Sequence, residues 1–191
     1  MSSSAGQTNV PPPIPLSVPV LGGNEARYLQ ECVDTNWVSS AGPFVDRLES
    51  EFAEFVGSRH AIALSSGTAA IHLALIAAGV RPDDEVIVPA MTFVAPANSV
   101  RYIGAWPVFI DVETSSWQLS PALVAEFIET QCIVEDGVLR NCKTGRRVSA
   151  VLPVHILGHP VDLAPIANLA SQYDLAIVED STESLGARYT G

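Results

Sequence analysis

The sequence predicts an α/β domain in which helices cover both faces of a mostly parallel sheet. Short and almost continuously apolar runs, such as EVIVPA at 85–90 and SAVLPVHI at 149–156, alternate with longer segments of helical periodicity. Runs of this kind are typical of strands that are buried on both faces, as in parallel sheets. Apolar residues make up 48% of the 191 positions, which is enough for one substantial core.

The first sixty residues do not follow this alternation. Residues 1–20 are rich in serine and proline, which predicts a flexible and extended N-terminal arm. They lack a basic region followed by an apolar run, so no secretory signal is predicted. Residues 21–60 are predicted to be a helical segment. Asn24 caps one amphipathic helix there, and Pro43 begins a second helix that ends at Gly57.

Residues 61–191 carry the alternation and are predicted to form the main domain. The predicted strands are 61–64, 85–90, 105–112, 149–156 and 175–180. The predicted helices between them are 68–79, 92–104, 120–129 and 162–174. Pro96 is expected early in its helix, because a proline further along would break the backbone hydrogen bonds.

One stretch, residues 131–148, interrupts the alternation. Asp136-Gly137 lies there between two short β-prone pieces, which predicts a hairpin. Cys132 and Cys142 could face each other across it, although two free thiols in a surface insertion are the favoured interpretation. Three cysteines do not make a disulfide framework, so a reducing, cytoplasmic setting is predicted.

Charge and hydropathy argue against two classes of partner. The net charge of -11 and the pI near 4.6 disfavour nucleic acid, which requires a basic surface. No apolar run approaches the ~20 residues that a helix needs to span a bilayer, so no membrane segment is predicted. A small anionic ligand is still compatible with this charge, because a local pocket can oppose the overall field.

Three features follow predicted strands, where ligands of open α/β sheets collect. In the turn Ser65-Ser66-Gly67-Thr68, Gly67 allows close approach of a ligand, Thr68 can cap the helix, and the free amides suit a phosphate. A plain capped helix start is the alternative interpretation of this turn. Phe93, after the strand at 85–90, can stack on a planar ring or belong simply to the core.

The third feature is Asp180, at the end of the last predicted strand. Its carboxylate can pair with a protonated ring nitrogen, and a helix cap and a metal ligand are the alternatives. His155 and His159 follow another predicted strand. Gly158 and Pro160 prevent a regular helical pair of these histidines, so a metal site is disfavoured.

A phosphate cradle, a stacking ring and an acid that pairs with a ring nitrogen together describe a site for pyridoxal 5'-phosphate. Four blocks in order, SGTAAIHLAL, DEVIVPAMTFVAPANSV, PVHILGHPVDL and VEDSTESLGA, resemble the DegT/StrS family of sugar aminotransferases. The resemblance runs from about Pro15 to the end of the chain. RNCKTGRRV and VPVHILGHPVDL are most similar to the branch that acts on nucleotide-linked 4-keto sugars, including legionaminic-acid-type pathways.

The resemblance implies a fold-type I, aspartate-aminotransferase-like large domain and assigns roles by matching position. Gly67 and Thr68 would hold the cofactor phosphate, Phe93 would stack on its ring, and Asp180 would pair with its nitrogen. Glu183 stands where many relatives have Gln or His, near the 3-oxygen of the ring. Because an ionised Glu cannot donate a hydrogen bond, it must be protonated, use a water or turn away.

The resemblance also implies the reaction and its partners. An amino group would pass from an amino acid, glutamate by resemblance, to a nucleotide-linked keto sugar in polysaccharide biosynthesis, and the enzyme would be a homodimer. Ser181 and Thr182 replace small alanines that are common in the VEDSTES block. This exchange is expected to be tolerated.

The reactive amine is the missing part. Lys143 is the only lysine, and it stands in the hydrophilic insertion without a strand end or pocket nearby. In the family, the lysine that binds the cofactor covalently follows the VEDSTES-like block, beyond Gly191, and a smaller C-terminal domain comes after it. We therefore expect the chain to be truncated before that domain, to bind the cofactor weakly and not to turn over.

Three alternatives stay open at this point. The chain could be a non-catalytic paralogue that serves as a binding or dimerisation subunit. It could belong to the related sugar dehydratases, which use the same cofactor with histidine in place of the lysine. A plain nucleotide-binding domain is disfavoured, because the first turn lacks a full G-x-G-x-x-G pattern.

Overall fold

The computed structural model of the chain describes residues 13–15 and 17–189. Most of the predicted N-terminal arm lies outside these residues. Its described parts, residues 13–15 and 17–20, are exposed and have no regular secondary structure. Within the described ranges, no helix has both the length and the apolar character that crossing a bilayer demands.

A four-stranded parallel sheet forms the centre of the domain, with the strand order β2-β1-β5-β6. Its strands are β1 (Glu85–Pro89), β2 (Trp106–Ile110), β5 (Val148–Val151) and β6 (Ala176–Ile177). β1 pairs with β2 along its whole length, and all five of its residues are buried. The predicted parallel α/β fold is therefore confirmed.

Helices cover both faces of this sheet, and alternate residues of β1 point to opposite faces. Val86 and Val88 belong to a core cluster that includes residues of α3 (Gly67–Ala77) and α4 (Val94–Tyr102). Ile87, between them, belongs to a second cluster, which includes residues of α5 (Pro121–Gln131) and α6 (Leu163–Tyr173). One strand thus contributes to both cores, which explains why its sequence is apolar after Glu85.

The two N-terminal helices are α1 (Glu25–Asp34) and α2 (Pro43–Val56), and neither contains a buried residue. α2 ends as predicted, because Gly57 adopts the left-handed conformation with φ of 71°. Asn24 precedes α1, but its side chain makes no capping hydrogen bond.

The predicted cap of α3 is wrong. The helix begins at Gly67, so Thr68 lies inside its first turn. The cap is Ser66, which has extended backbone dihedrals and whose Oγ accepts a hydrogen bond from Ala69 N at 3.2 Å. Ser66 has the extended backbone that a cap requires, whereas Thr68 already lies within the helix.

The predicted strand at 61–64 is also wrong. Ile62 is 77% exposed, and the segment pairs with no strand among the described residues. A strand needs a neighbour to bond its backbone, and the described sheet ends at β2 and β6 without reaching this segment. Ala63 N instead donates a hydrogen bond of 2.8 Å to the Glu49 carboxylate on α2.

The hairpin predicted within 131–148 is confirmed. It consists of β3 (Cys132–Glu135) and β4 (Val138–Asn141), and both turn residues, Asp136 and Gly137, have positive φ. Cys132 lies opposite Asn141, so the idea that Cys132 faces Cys142 is wrong, and both are free thiols. Burial, and to a smaller extent Cys142, raises the pKa of Cys132 to about 11.

The hairpin packs against the amino-terminal end of β1. Asn141 Nδ2 and Thr144 Oγ1 donate hydrogen bonds of 2.8 and 2.7 Å to the buried carboxylate of Glu85, the first residue of β1. Lys143 stands between these two residues in the chain, and its backbone N bonds to Asn141 Oδ1. The backbone of Lys143, the only lysine of the sequence, therefore lies at the amino-terminal end of the sheet, opposite the carboxyl ends of the strands.

Candidate functional site

The first turn of α3 presents free backbone donors. Gly67 N and Thr68 N have no hydrogen-bond acceptor among the residues that the structure describes, as is normal for the first turn of a helix. The turn lies against Ser99, a fully buried residue of α4, whose single hydroxyl proton is shared between Thr68 O at 3.0 Å and Ala95 O at 2.8 Å. Two fixed N–H groups at the positive end of a helix form a place where an anion can bind.

Asp180 is buried at the end of the β5–β6 pairing. Its backbone N donates to Pro153 O at 2.9 Å, and its backbone O accepts from His155 N at 3.0 Å. These bonds continue the parallel register beyond the two strands, through a bridge between Val154 and Asp180. The main chain of Asp180 is therefore fixed by the sheet rather than by a mobile loop.

The carboxylate of Asp180 is bonded on one oxygen only. Oδ1 accepts hydrogen bonds from Thr182 N at 3.1 Å and from Thr182 Oγ1 at 2.6 Å. Oδ2 accepts none from any described residue, although Asp180 as a whole residue is only 8% exposed. One carboxylate oxygen is thus free to pair with an incoming donor.

Gly67 and Asp180 lie near each other through Thr182. A Cβ atom built on Gly67 would be 3.6 Å from Thr182 Oγ1, the same atom that bonds to Asp180. The Thr182 hydroxyl therefore contacts the Asp180 carboxylate and lies beside the first turn of α3. Two features that the sequence separates widely are brought together by the fold.

Phe93 precedes α4 at the exit of β1 and is 77% exposed. The alternative that Phe93 belongs to the core is therefore wrong, and its ring is available for stacking. Beside it, Thr92 Oγ1 is buried without a hydrogen-bond partner in the described structure. A buried hydroxyl of this kind is costly to leave unpaired. Sequence reasoning assigned Thr92 no role, and its only signal is its place in the loop between the buried strand β1 and α4.

Glu183 turns away from this cluster. Its carboxylate Oε2 accepts a hydrogen bond of 2.5 Å from the backbone N of Leu157. Leu157 has a φ of 56°, and Gly158 follows with a Cβ position only 3.2 Å from Glu183 O. The sequence left three possibilities for Glu183: a protonated side chain, a bridging water, or a side chain that turns away. The structure contains the third, with the carboxylate bonded to Leu157 N.

His155 links the strand end to the following turn and is 4% exposed. Its Nδ1 accepts a hydrogen bond of 3.0 Å from Val161 N, so the proton of the neutral ring is on Nε2. Nε2 then donates to the Glu179 carboxylate at 3.1 Å. The described residues contain no group of three or more His, Cys, Asp and Glu side chains arranged to hold a metal ion.

A groove of about 1310 Å³ runs between the end of α2 and residues 179–189. Its lining includes Phe55, Glu179, Thr182 and Leu185. Gly67, Thr68, Phe93 and Asp180 are not part of that lining, so the groove and the cluster of candidate groups meet at Thr182.

The fold and the site define an α/β protein with a cluster of candidate ligand-binding groups beyond the carboxyl ends of its parallel strands. The model of the DegT/DnrJ/EryC1/StrS aminotransferase family matches residues 19–191. The chain belongs to this family, which confirms the resemblance derived from the four sequence blocks.

Curated and solved relatives agree with this assignment. The chain is 41% identical over 180 residues to GDP-perosamine synthase of Caulobacter vibrioides, covering 94% of this chain and 44% of that enzyme. It superposes on the aminotransferase from Psychrobacter cryohalolentis with a TM-score of 0.78 and 33% identity, covering 93% and 41% of the two chains. Bacillus subtilis NtdA, solved with bound cofactor PMP, gives a TM-score of 0.72 and 30% identity, covering 84% and 33%. The chain thus spans less than half the length of these relatives.

Proposed function

We propose that this chain binds pyridoxal 5'-phosphate as the cofactor-binding part of a sugar aminotransferase. The observation that carries the proposal is the arrangement around Thr182, whose Oγ1 bonds to the Asp180 carboxylate and lies against Gly67 in the first turn of α3. Residues 61–191 would form the partial cofactor domain, with the helical segment 21–60 beside it. Family membership and the PMP bound to B. subtilis NtdA support the choice of cofactor.

Each group has a definite task in this proposal. Gly67 N and Thr68 N would bind the phosphate, and the exposed ring of Phe93 would stack on the pyridine ring. Asp180 Oδ2 would accept a hydrogen bond from the protonated ring nitrogen, and the paired charges would favour that protonation state. The bound cofactor supplies an electron sink for chemistry at the carbon next to nitrogen. The unpaired Thr92 hydroxyl fits a site that a ligand completes.

The substrates follow from the relatives rather than from the described geometry. The GDP-perosamine synthases among the relatives favour a GDP-linked keto sugar as acceptor and an amino acid, glutamate by family resemblance, as donor. The enzyme would act in the cytoplasm as a homodimer. The backbone of Lys143 is bonded at the amino-terminal end of the sheet, which supports the expectation that another amine reacts with the cofactor.

Binding of pyridoxal 5'-phosphate, measured by equilibrium dialysis, tests the proposal. The wild-type chain should bind one equivalent, and Asp180→Asn should weaken binding about tenfold to a hundredfold, because an interaction between charged partners is lost. Asp34→Asn is the matched control, because it makes the same change at an exposed carboxylate of α1, which bonds to Gln30 Nε2. No binding by the wild type, or equal binding by Asp180→Asn, would contradict the proposal.

A further inference from the structure

The hydroxyl of Thr182 is a further polar group at the candidate site, and neither the family resemblance nor the comparisons assign it a task. The resemblance puts a small alanine at this position. In this chain the side chain adds a hydrogen bond of 2.6 Å to Asp180 Oδ1. The backbone N of Thr182 bonds to the same oxygen at 3.1 Å, and any residue at 182 would provide that bond.

The two bonds together make the Asp180 carboxylate asymmetric. A carboxylate oxygen accepts about two hydrogen bonds, so Oδ1 is saturated by Thr182 and Oδ2 is left free. Without the hydroxyl, the backbone N alone would hold the carboxylate, and rotation about its terminal torsion would be less restricted. This torsion is broad in aspartate, so a second anchor has a real effect on orientation.

The direction of the Thr182 proton separates two possible tasks. A hydroxyl has one proton, and here it points to Asp180. Towards Gly67, whose Cβ position is 3.6 Å away, the hydroxyl therefore offers only lone pairs. Lone pairs do not favour an anion, so the hydroxyl serves the carboxylate and not a phosphate at α3.

From this geometry we infer that Thr182 is a positioning residue, which orients Asp180 so that Oδ2 faces the ring nitrogen of the cofactor. The inference rests on the proposed function. A positioning role differs from a merely structural role in one respect. The Thr182 hydroxyl would strengthen cofactor binding only through the bond between Asp180 and the ring nitrogen. Replacing that nitrogen by carbon should remove the contribution.

The test compares pyridoxal 5'-phosphate with its 1-deaza analogue, in which the ring nitrogen is replaced by C–H. Dissociation constants are measured for the wild-type chain and for Thr182→Val, which keeps the shape but removes the hydroxyl. Thr182→Val should bind pyridoxal phosphate about fivefold to tenfold more weakly, and should bind the analogue within about twofold of wild type. Thr182→Ser, which restores a hydroxyl, should match wild type with both compounds.

Two controls keep the outcomes distinct. Thr130→Val removes an exposed threonine hydroxyl that bonds to Glu126 O on α5, and it should change neither constant. Thr182→Ala replaces Thr182→Val if the valine variant does not fold. Equal weakening with both compounds, or no weakening with either, overturns the positioning role while the proposed function stands. Failure of the wild type to bind pyridoxal phosphate overturns the proposed function, and the inference with it.

Discussion

His155 offers the sharpest test of how the site is held together, because its two ring nitrogens make two different bonds. Nδ1 accepts from Val161 N, a fully buried residue, and Nε2 donates to Glu179, which is 44% exposed in its side chain. Losing the first bond leaves a buried N–H unpaired, which costs about 1–3 kcal/mol. Losing the second exposes Glu179 to water, which costs at most about 1 kcal/mol.

Three variants separate these contributions. His155→Asn keeps an acceptor near the Nδ1 position, His155→Gln keeps a donor near Nε2, and His155→Phe keeps neither. We expect the free energy of unfolding to fall by about 1 kcal/mol for Asn and by about 2–4 kcal/mol for Phe, with Gln in between.

Urea unfolding followed by circular dichroism measures these differences, because the linear extrapolation yields each free energy of unfolding. His72→Asn is the control for replacing a partly buried histidine, since the ring of His72 packs edge-on against Tyr102 and makes no hydrogen bond in the described structure. If His155→Gln were more stable than His155→Asn, the bond to Val161 would not be the dominant one and the reasoning would fail.

Two further predictions concern the insertion. Cys132 should be alkylated much more slowly than the exposed Cys142 at pH 8, because the pKa of Cys132 is raised and the thiolate is the reactive form. The alkylation rate of Cys132 should rise up to about pH 11. Mass spectrometry of the variants Cys142→Ser and Cys132→Ser measures the two rates, and equal rates would contradict the prediction. Borohydride reduction in the presence of pyridoxal 5'-phosphate should leave no stoichiometric adduct on Lys143, because its backbone is bonded at the amino-terminal end of the parallel strands. Peptide mapping would detect such an adduct, and finding it would refute the prediction.

The parts of the fold that the sequence predicts well are those with local causes. After Glu85, β1 is apolar because Val86 and Ile87 face two different cores, and α2 ends at Gly57 because glycine adopts a positive φ easily. The hairpin follows from Asp136-Gly137 in the same way. In each case the residue and its reason lie within a few positions of the element.

The errors have non-local causes. The segment at 61–64 has the composition of a strand, but strand formation depends on a neighbour, and local composition carries no information about that neighbour. Thr68 looks like a cap in sequence, but α3 begins at Gly67, so the cap lies two positions earlier, at Ser66. A shift of two residues is within the usual uncertainty of a helix end.

The candidate site was only partly accessible to sequence reasoning. Asp180 and Gly67 could be chosen because each follows an apolar run, but their common neighbour Thr182 became visible only in three dimensions. The same is true of Thr92, whose buried and unpaired hydroxyl depends on packing. Hydrogen-bond partners of a site residue are set by tertiary contacts, and a sequence pattern does not contain them.

A crystal structure of the chain with pyridoxal 5'-phosphate is the most direct measurement of whether one small molecule joins residues 67 and 180. Our account requires phosphate oxygens within hydrogen-bond distance of Gly67 N and Thr68 N, and the ring nitrogen within that distance of Asp180 Oδ2. A cofactor bound elsewhere, or one whose nitrogen contacts a residue other than Asp180, would contradict it.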